Sequence, residues 1–305
     1  MLLLFRHFFC LLLVLSSSLS SVLNIKDASS GVTVKIIGCM HYNPHSIKTT
    51  SKYIRELGES GNLGSVVIES CPSRWSRTLK KQPKGSMRRK VLDNEMQMAY
   101  ELGMEYNRPV ILGDQDIDTT NDRLKTSLKA SFLDVVNPFG GWKAIVHDVS
   151  EAKDSTLLLP SSKNVDYLTI KDFLDPQLLL AAPFSILRYP LALILKAPVS
   201  SIVCLAMLAF LEQNNYFGSD PTSSMESTLD IAESAFVSIL EILVFARPFL
   251  VTLLSERNDV LAAKIRESCE EVRKEKDGNK RVVVAILGMA HSNGVANLLA
   301  NNVDM

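Results

Sequence analysis

The chain has 305 residues, 47% of them hydrophobic, which supplies a full core for one large domain and excludes a disordered chain. Thirty-three Lys and Arg balance thirty-three Asp and Glu, so no global field draws the protein to nucleic acid or to an anionic membrane, and no nucleic-acid partner is expected. Five scattered cysteines without a Cys-x-x-Cys pair exclude a disulfide framework and a cysteine-type zinc site, while one bridge between Cys39 and Cys71 stays open.

In chain order, Arg6 and His7 precede an apolar run from Phe8 to Leu15 and then small residues ending near Ser20 or Ser21. That is the layout of a secretory signal peptide, with an uncleaved signal anchor as the other reading. Residues 1–23 are therefore set apart from a single domain over 24–305. The expected location is the secretory pathway or an organelle reached through it, with membrane association open.

From 32 to 125 strands and helices alternate: "VTVKIIG" as strand, "SIKTTSKYIRELGES" as helix, "SVVIES" as strand, "MRRKVLDNEMQMAYELGMEYN" as one long helix, "PVILGD" as strand. The strands are continuous apolar runs, which predicts an α/β fold with a mostly parallel sheet flanked by helices. "KKQPKGSMRRK" at 80–90 reads as a solvated loop leading into a helix. Residues 126–176 show no clear period. Two apolar stretches, 178–211 and 235–254, then form a helical insertion between the two halves. Arg188, Lys196, Glu241, Arg247 and four prolines divide them. The longest uncharged piece, Ala197 to Leu211, falls short of the roughly 18–20 residues that cross a bilayer. The insertion packs on the sheet, lies at a membrane interface, joins two copies of the chain or, as the remaining alternative, spans a membrane. A helix follows over "ERNDVLAAKIRESCEEVRKEK", with Ser255 as its cap, then a buried strand, "RVVVAILG", and a final short helix, "GVANLLANN".

Two of these strands end alike: "VKIIGCMHYN" at 34–43 and "VAILGMAHSN" at 284–293 share an apolar run followed by Gly-x-x-His. Ligands bind parallel sheets at the carboxyl ends of the strands. A glycine there lets the chain leave the strand in conformations other residues resist, so that the histidine swings over the sheet. "SVVIES" ends at the same edge in Glu69 and "PVILGD" in Asp114. Any one such residue also serves as a loop polar group or a cap, but four at one edge fit one shared site. Two imidazoles with carboxylates suit a divalent transition metal (manganese, cobalt, zinc or iron), with a carboxylate such as Asp114 as base. His45 and His147 lack this setting.

The residues also resemble the TraB family, related to the bacterial pheromone-shutdown and GumN proteins and, more distantly, to the Tiki metalloproteases and the erythromycin-esterase and ChaN-like proteins. The pattern is carried by "GCMH" (38–41), "VVIESCPSRW" (66–75), "EMQMA" (95–99) with "ILGDQDIDTT" (111–120), "SERNDVLAAKI" (255–265) and "VVAILGMAHSNGV" (283–295). The resemblance implies a metal centre of His41, His291 and Glu69, and it aligns Arg74 and the Glu256-Arg257-Asn258 triplet with family positions. Arg74 or Arg257 would clamp a substrate carboxylate or stabilise an oxyanion, with a Glu256–Arg74 ion pair as the structural alternative. Where relatives carry Gly-Asp-Arg, this chain has Gly113-Asp114-Gln115, so a cation that pairs with Glu69 or binds substrate is missing. The expected function is a metal-dependent, peptidase-like hydrolase acting on a peptide or small molecule. The alternative is a non-catalytic, membrane-associated binding or regulatory protein.

Overall fold

A computed structural model describes residues 21–137, 139–156, 166–196, 244–275 and 277–301. Five strands make one sheet: β1 (Val22–Lys26), β2 (Thr33–Cys39), β3 (Leu63–Ile68), β4 (Val110–Leu112) and β5 (Val282–Gly288). Their spatial order is β1-β2-β5-β3-β4, with β1 antiparallel to β2 and the remaining pairs parallel. The protein is thus α/β with a mostly parallel sheet, as the apolar runs predict. The last strand in sequence occupies the centre of the sheet.

The sheet is covered on both faces. Alternate residues of β5 point to opposite sides: Val283, Ala285 and Leu287 join one cluster, Val284 and Ile286 the other. The first cluster packs on α9 (Glu256–Lys274), through Leu261, Ile265, Cys269 and Val272, and on α10 (Met289–Ala300), through Val295 and Leu299. The second packs on Ile54 of α1 (Pro44–Glu59) and on Ala99 and Leu102 of α4 (Glu95–Glu105), with Trp75 of α2 (Pro72–Lys81). Three layers bury both faces, which is why the strands carry no polar alternation.

Several local expectations change. The 23/24 boundary falls inside β1, whose edge pairing runs from Val22↔Ile37 to Lys26↔Thr33. The long helix over 87–107 is two helices, α3 (Met87–Val91) and α4, because the Asn94 side chain accepts the Gln97 N–H and starts a new helix there. The aperiodic stretch 126–176 holds the C-terminal half of α5 (Ile117–Val135), then α6 (Gly141–Thr156) and the short α7 (Ile170–Phe173). Ser255 makes no capping hydrogen bond; a π-helical segment, Pro248–Ser255, runs straight into α9. Cys39 and Cys71 are both free thiols. From the basic 80–90 stretch, Arg89 is buried and pairs with Asp93 and Glu101.

Of the apolar insertion, residues 197–243 lie outside the described residues, while α8 (Pro176–Lys196) is a 21-residue helix that carries Pro183 and Pro190 within it. No helix among the described residues is long and apolar enough to cross a membrane. Ile286 is fully buried in the central strand, so Ile286→Ala should cost about 2–5 kcal/mol of unfolding free energy in urea titrations.

Candidate active site at the strand ends

The repeated motif becomes adjacency in space. β2 and β5 are neighbours in parallel register, with Gly38 opposite Leu287 and Cys39 opposite Gly288, so both histidines leave the sheet side by side. Glu69 follows β3 on the other side of β5, where its N–H donates to Ile286 O at 3.2 Å. Asp114 follows β4. His291 sits in the first turn of α10, not in a loop.

The motif glycines are selected for room rather than for unusual backbone angles. A Cβ on Gly38 would stand 2.9 Å from both Leu168 Cδ1 and Ser292 Oγ. One on Gly288 would stand 3.3 Å from both Glu69 Oε2 and His41 Nε2. Gly288 itself has φ −59°, which any residue adopts, so the second glycine keeps open the space between the two functional side chains.

Each histidine is held through Nδ1. Glu95, 1% exposed at the start of α4, lies 2.5 Å from His41 Nδ1 and accepts the Tyr42 N–H at 3.2 Å through its other oxygen. Asn258 Oδ1 lies 2.7 Å from His291 Nδ1. Carboxylate and amide oxygens only accept, so Nδ1 carries a proton in both rings and Nε2 is the nitrogen left to face the cavity. Those Nε2 atoms turn toward Glu69: His291 Nε2 is 3.4 Å from Oε1, and His41 Nε2 and Glu69 Oε2 flank the empty side of Gly288.

Glu69 is itself anchored. Arg257 Nη2 donates to Oε1 at 2.6 Å, and the Gly288 N–H, at the N-terminus of α10, donates to Oε2 at 2.6 Å. Arg257 also reaches Asp114 with Nε and Nη2, both at 2.9 Å, and Arg74 pairs with the same carboxylate. The cation missing from the Gly-Asp-Gln segment is therefore supplied from α9. Glu256 pairs with Arg123 and not with Arg74. Asp114 is committed to two guanidinium groups, so it positions them instead of standing free as a base. His45 meets Thr49 on α1 and His147 lies exposed beside Asp148, both away from the site.

The charges follow from this packing. Burial opposes ionisation of Glu69, but His291, His41, Arg257 and the Gly288 N–H outweigh it and bring its pKa to about 2. Burial likewise disfavours a charge on His41, yet the Glu95 hydrogen bond and charge lift its pKa to about 9. For His291 burial prevails, aided by Arg257 and His41, and its pKa falls below the ordinary value. Without a bound cation, His41 is an imidazolium at neutral pH beside a neutral His291 and an ionised Glu69.

Together these groups line a cavity of about 630 Å³ with Arg74, Tyr42 and Trp75. His41, His291, Glu69, Arg74 and Arg257 all face it. Glu95 and Asn258 both lie in motif pieces of the sequence, but the sequence reading gave neither of them a role; the structure places them against the two histidines. The sequence signal for Glu95 was its place directly after Asn94, a capping residue inside an apparent helix. Among the described residues no set of three His, Cys, Asp or Glu donors is already spaced to hold a metal ion.

The His41–Glu95 pair makes a signed prediction. Its stabilisation is complete below the ordinary histidine value of 6.5 and is lost as pH rises through about 9. Glu95→Gln should bring the His41 titration, followed by the ring Cε1 proton in NMR, back down by more than one unit and should flatten stability between those pH values. Comparison of the chain with protein-family models and with curated proteins finds no match.

Proposed function

We propose that the strand-end cavity is the centre of a metal-assisted hydrolase of TraB-like type, cleaving an ester or amide bond in a peptide or small molecule. The observation that carries this reading is the shared orientation of the two rings. Both Nδ1 atoms are committed to acceptors, so both Nε2 atoms converge on one ionised carboxylate. His291 Nε2 stands 3.4 Å from Glu69 Oε1, and a divalent cation at this cluster would take the place of the proton that His41 Nε2 carries in its absence. Metal-binding histidines usually have their other ring N–H held in this way, so the arrangement is compatible with a bound metal.

His41 and His291 through Nε2, with Glu69, would hold a divalent transition metal. The ion would polarise a substrate carbonyl and acidify water. The protein's own part is separate from that chemistry. Glu95 and Asn258 fix ring orientation and tautomer. Gly288 keeps the intervening space free of a side chain. Arg74, whose side chain is 36% exposed and whose charge is balanced by Asp114, faces the cavity with N–H donors for a developing oxyanion.

One observation favours a second reading. Arg257 already neutralises Glu69, which supports a metal-free centre in which His41, oriented by Glu95, transfers the proton itself. A secretory destination and contact of α8 with a membrane or a second copy accompany the proposal; Ile186 and Leu187 stand exposed on that helix.

Metal content separates the readings. Protein purified without chelators should carry close to one manganese, cobalt, zinc or iron ion per chain. His41→Ala/His291→Ala should lose it while keeping its cooperative unfolding. Equal, negligible metal in both proteins would discard the metal reading in favour of the metal-free centre or a non-catalytic protein.

A further inference from the structure

The cavity has two unlike sides. One is the polar cluster described above. The other is an apolar wall made by Tyr42, Trp75, Met96, Phe173, Tyr189 and Ala192. Three of these come from α7 and α8, outside the strand-end motifs. Phe173 and Tyr189 are 41% and 50% exposed, a large aromatic surface left at a cavity mouth.

The wall is built around a strained residue. Tyr42 has φ 61°, a left-handed conformation that side chains with a Cβ rarely adopt. It is held there by polar contacts on both sides: Glu95 accepts its N–H, and Arg188 of α8 donates to its carbonyl at 3.3 Å. The Tyr189 ring meets the Tyr42 ring edge-on, with centroids 6.1 Å apart. The same carboxylate thus orients the His41 imidazole and fixes the aromatic residue next to it.

The polar side offers no unspent charge. Among the described residues lining the cavity, His41 is paired with Glu95, Arg257 with Glu69 and Asp114, and Arg74 with Asp114. A substrate carboxylate would meet only guanidinium groups whose charge is already balanced by Asp114 and Glu69, and an ammonium only carboxylates already paired, so neither gains a full counter-charge for the water it gives up. A neutral carbonyl group needs none.

We propose that the cavity takes a neutral acyl or peptidyl substrate and seats an apolar side chain against Tyr42, Phe173 and Tyr189, beside His41. This substrate class deepens the hydrolase reading and rests on it for the bond that is cleaved, but its recognition needs no metal.

The test uses four N-acetyl amino-acid amides, those of phenylalanine, leucine, aspartate and lysine, titrated against the full chain by ligand-observed NMR. The phenylalanine and leucine amides should bind roughly tenfold or more tightly than the two charged ones, the difference expected from burying about two methylene equivalents. Phe173→Ser/Tyr189→Ser replaces two half-exposed rings that belong to none of the buried core clusters, so the core stays intact; it should reduce that preference to about one. His41→Ala/His291→Ala should retain it. Absence of binding, equal affinity for all four, a preference for a charged amide, or a preference that survives loss of the two rings would overturn the proposal. A preference that persists in a parent protein lacking metal would uphold it while removing the metal reading, so the two failures are distinguishable.

Discussion

The site depends on keeping one carboxylate ionised inside a sheet edge. Glu69 is almost fully buried, and an unpaired charge at that depth would cost several kcal/mol. Arg257 from α9, the Gly288 N–H at the head of α10 and the two imidazoles make its charged state the favourable one. Three elements distant in sequence are thereby fixed against one another. α9 brings Arg257 to Glu69 and Asp114, and the next residue, Asn258, holds His291. The helix that covers one face of the sheet is also the scaffold of the polar cluster.

The repeated Gly-x-x-His follows from topology. Because β5 inserts between β2 and β3, the last strand of the chain lies beside an early one, and two similar strand endings become two neighbouring histidines. The glycines serve space at these positions. Gly38 admits Leu168 and Ser292 against the strand, and Gly288 leaves a gap between His41 and Glu69. A methyl group in that gap would touch both side chains.

Much of this was legible before folding was considered. Continuous apolar runs marked β2 to β5, and their polar endings marked the rim, because buried parallel strands leave few other places for His, Glu and Asp. What was hidden depended on tertiary partners. Glu95 lay inside an apparent long helix until Asn94 is recognised as a cap, and its meaning rests on a contact with His41, 54 residues away. Gln115 suggested a missing cation, yet Arg257 fills that role from 143 residues beyond Asp114. Helices α5 and α6 escaped notice because they bury few of their residues, so their sequence carries little periodic signal. Strand β1 sat at the margin of a segment that reads as a targeting signal.

The central claim is that His41, His291 and Glu69 act as one centre through their inward-facing atoms. Anomalous diffraction from crystals soaked in manganese or zinc, with data collected at that metal's absorption edge, tests it most directly. The account predicts one strong peak within bonding distance of Nε2 of both histidines and of the Glu69 carboxylate. No peak there, or metal bound through an Nδ1 atom or elsewhere on the surface, would contradict it.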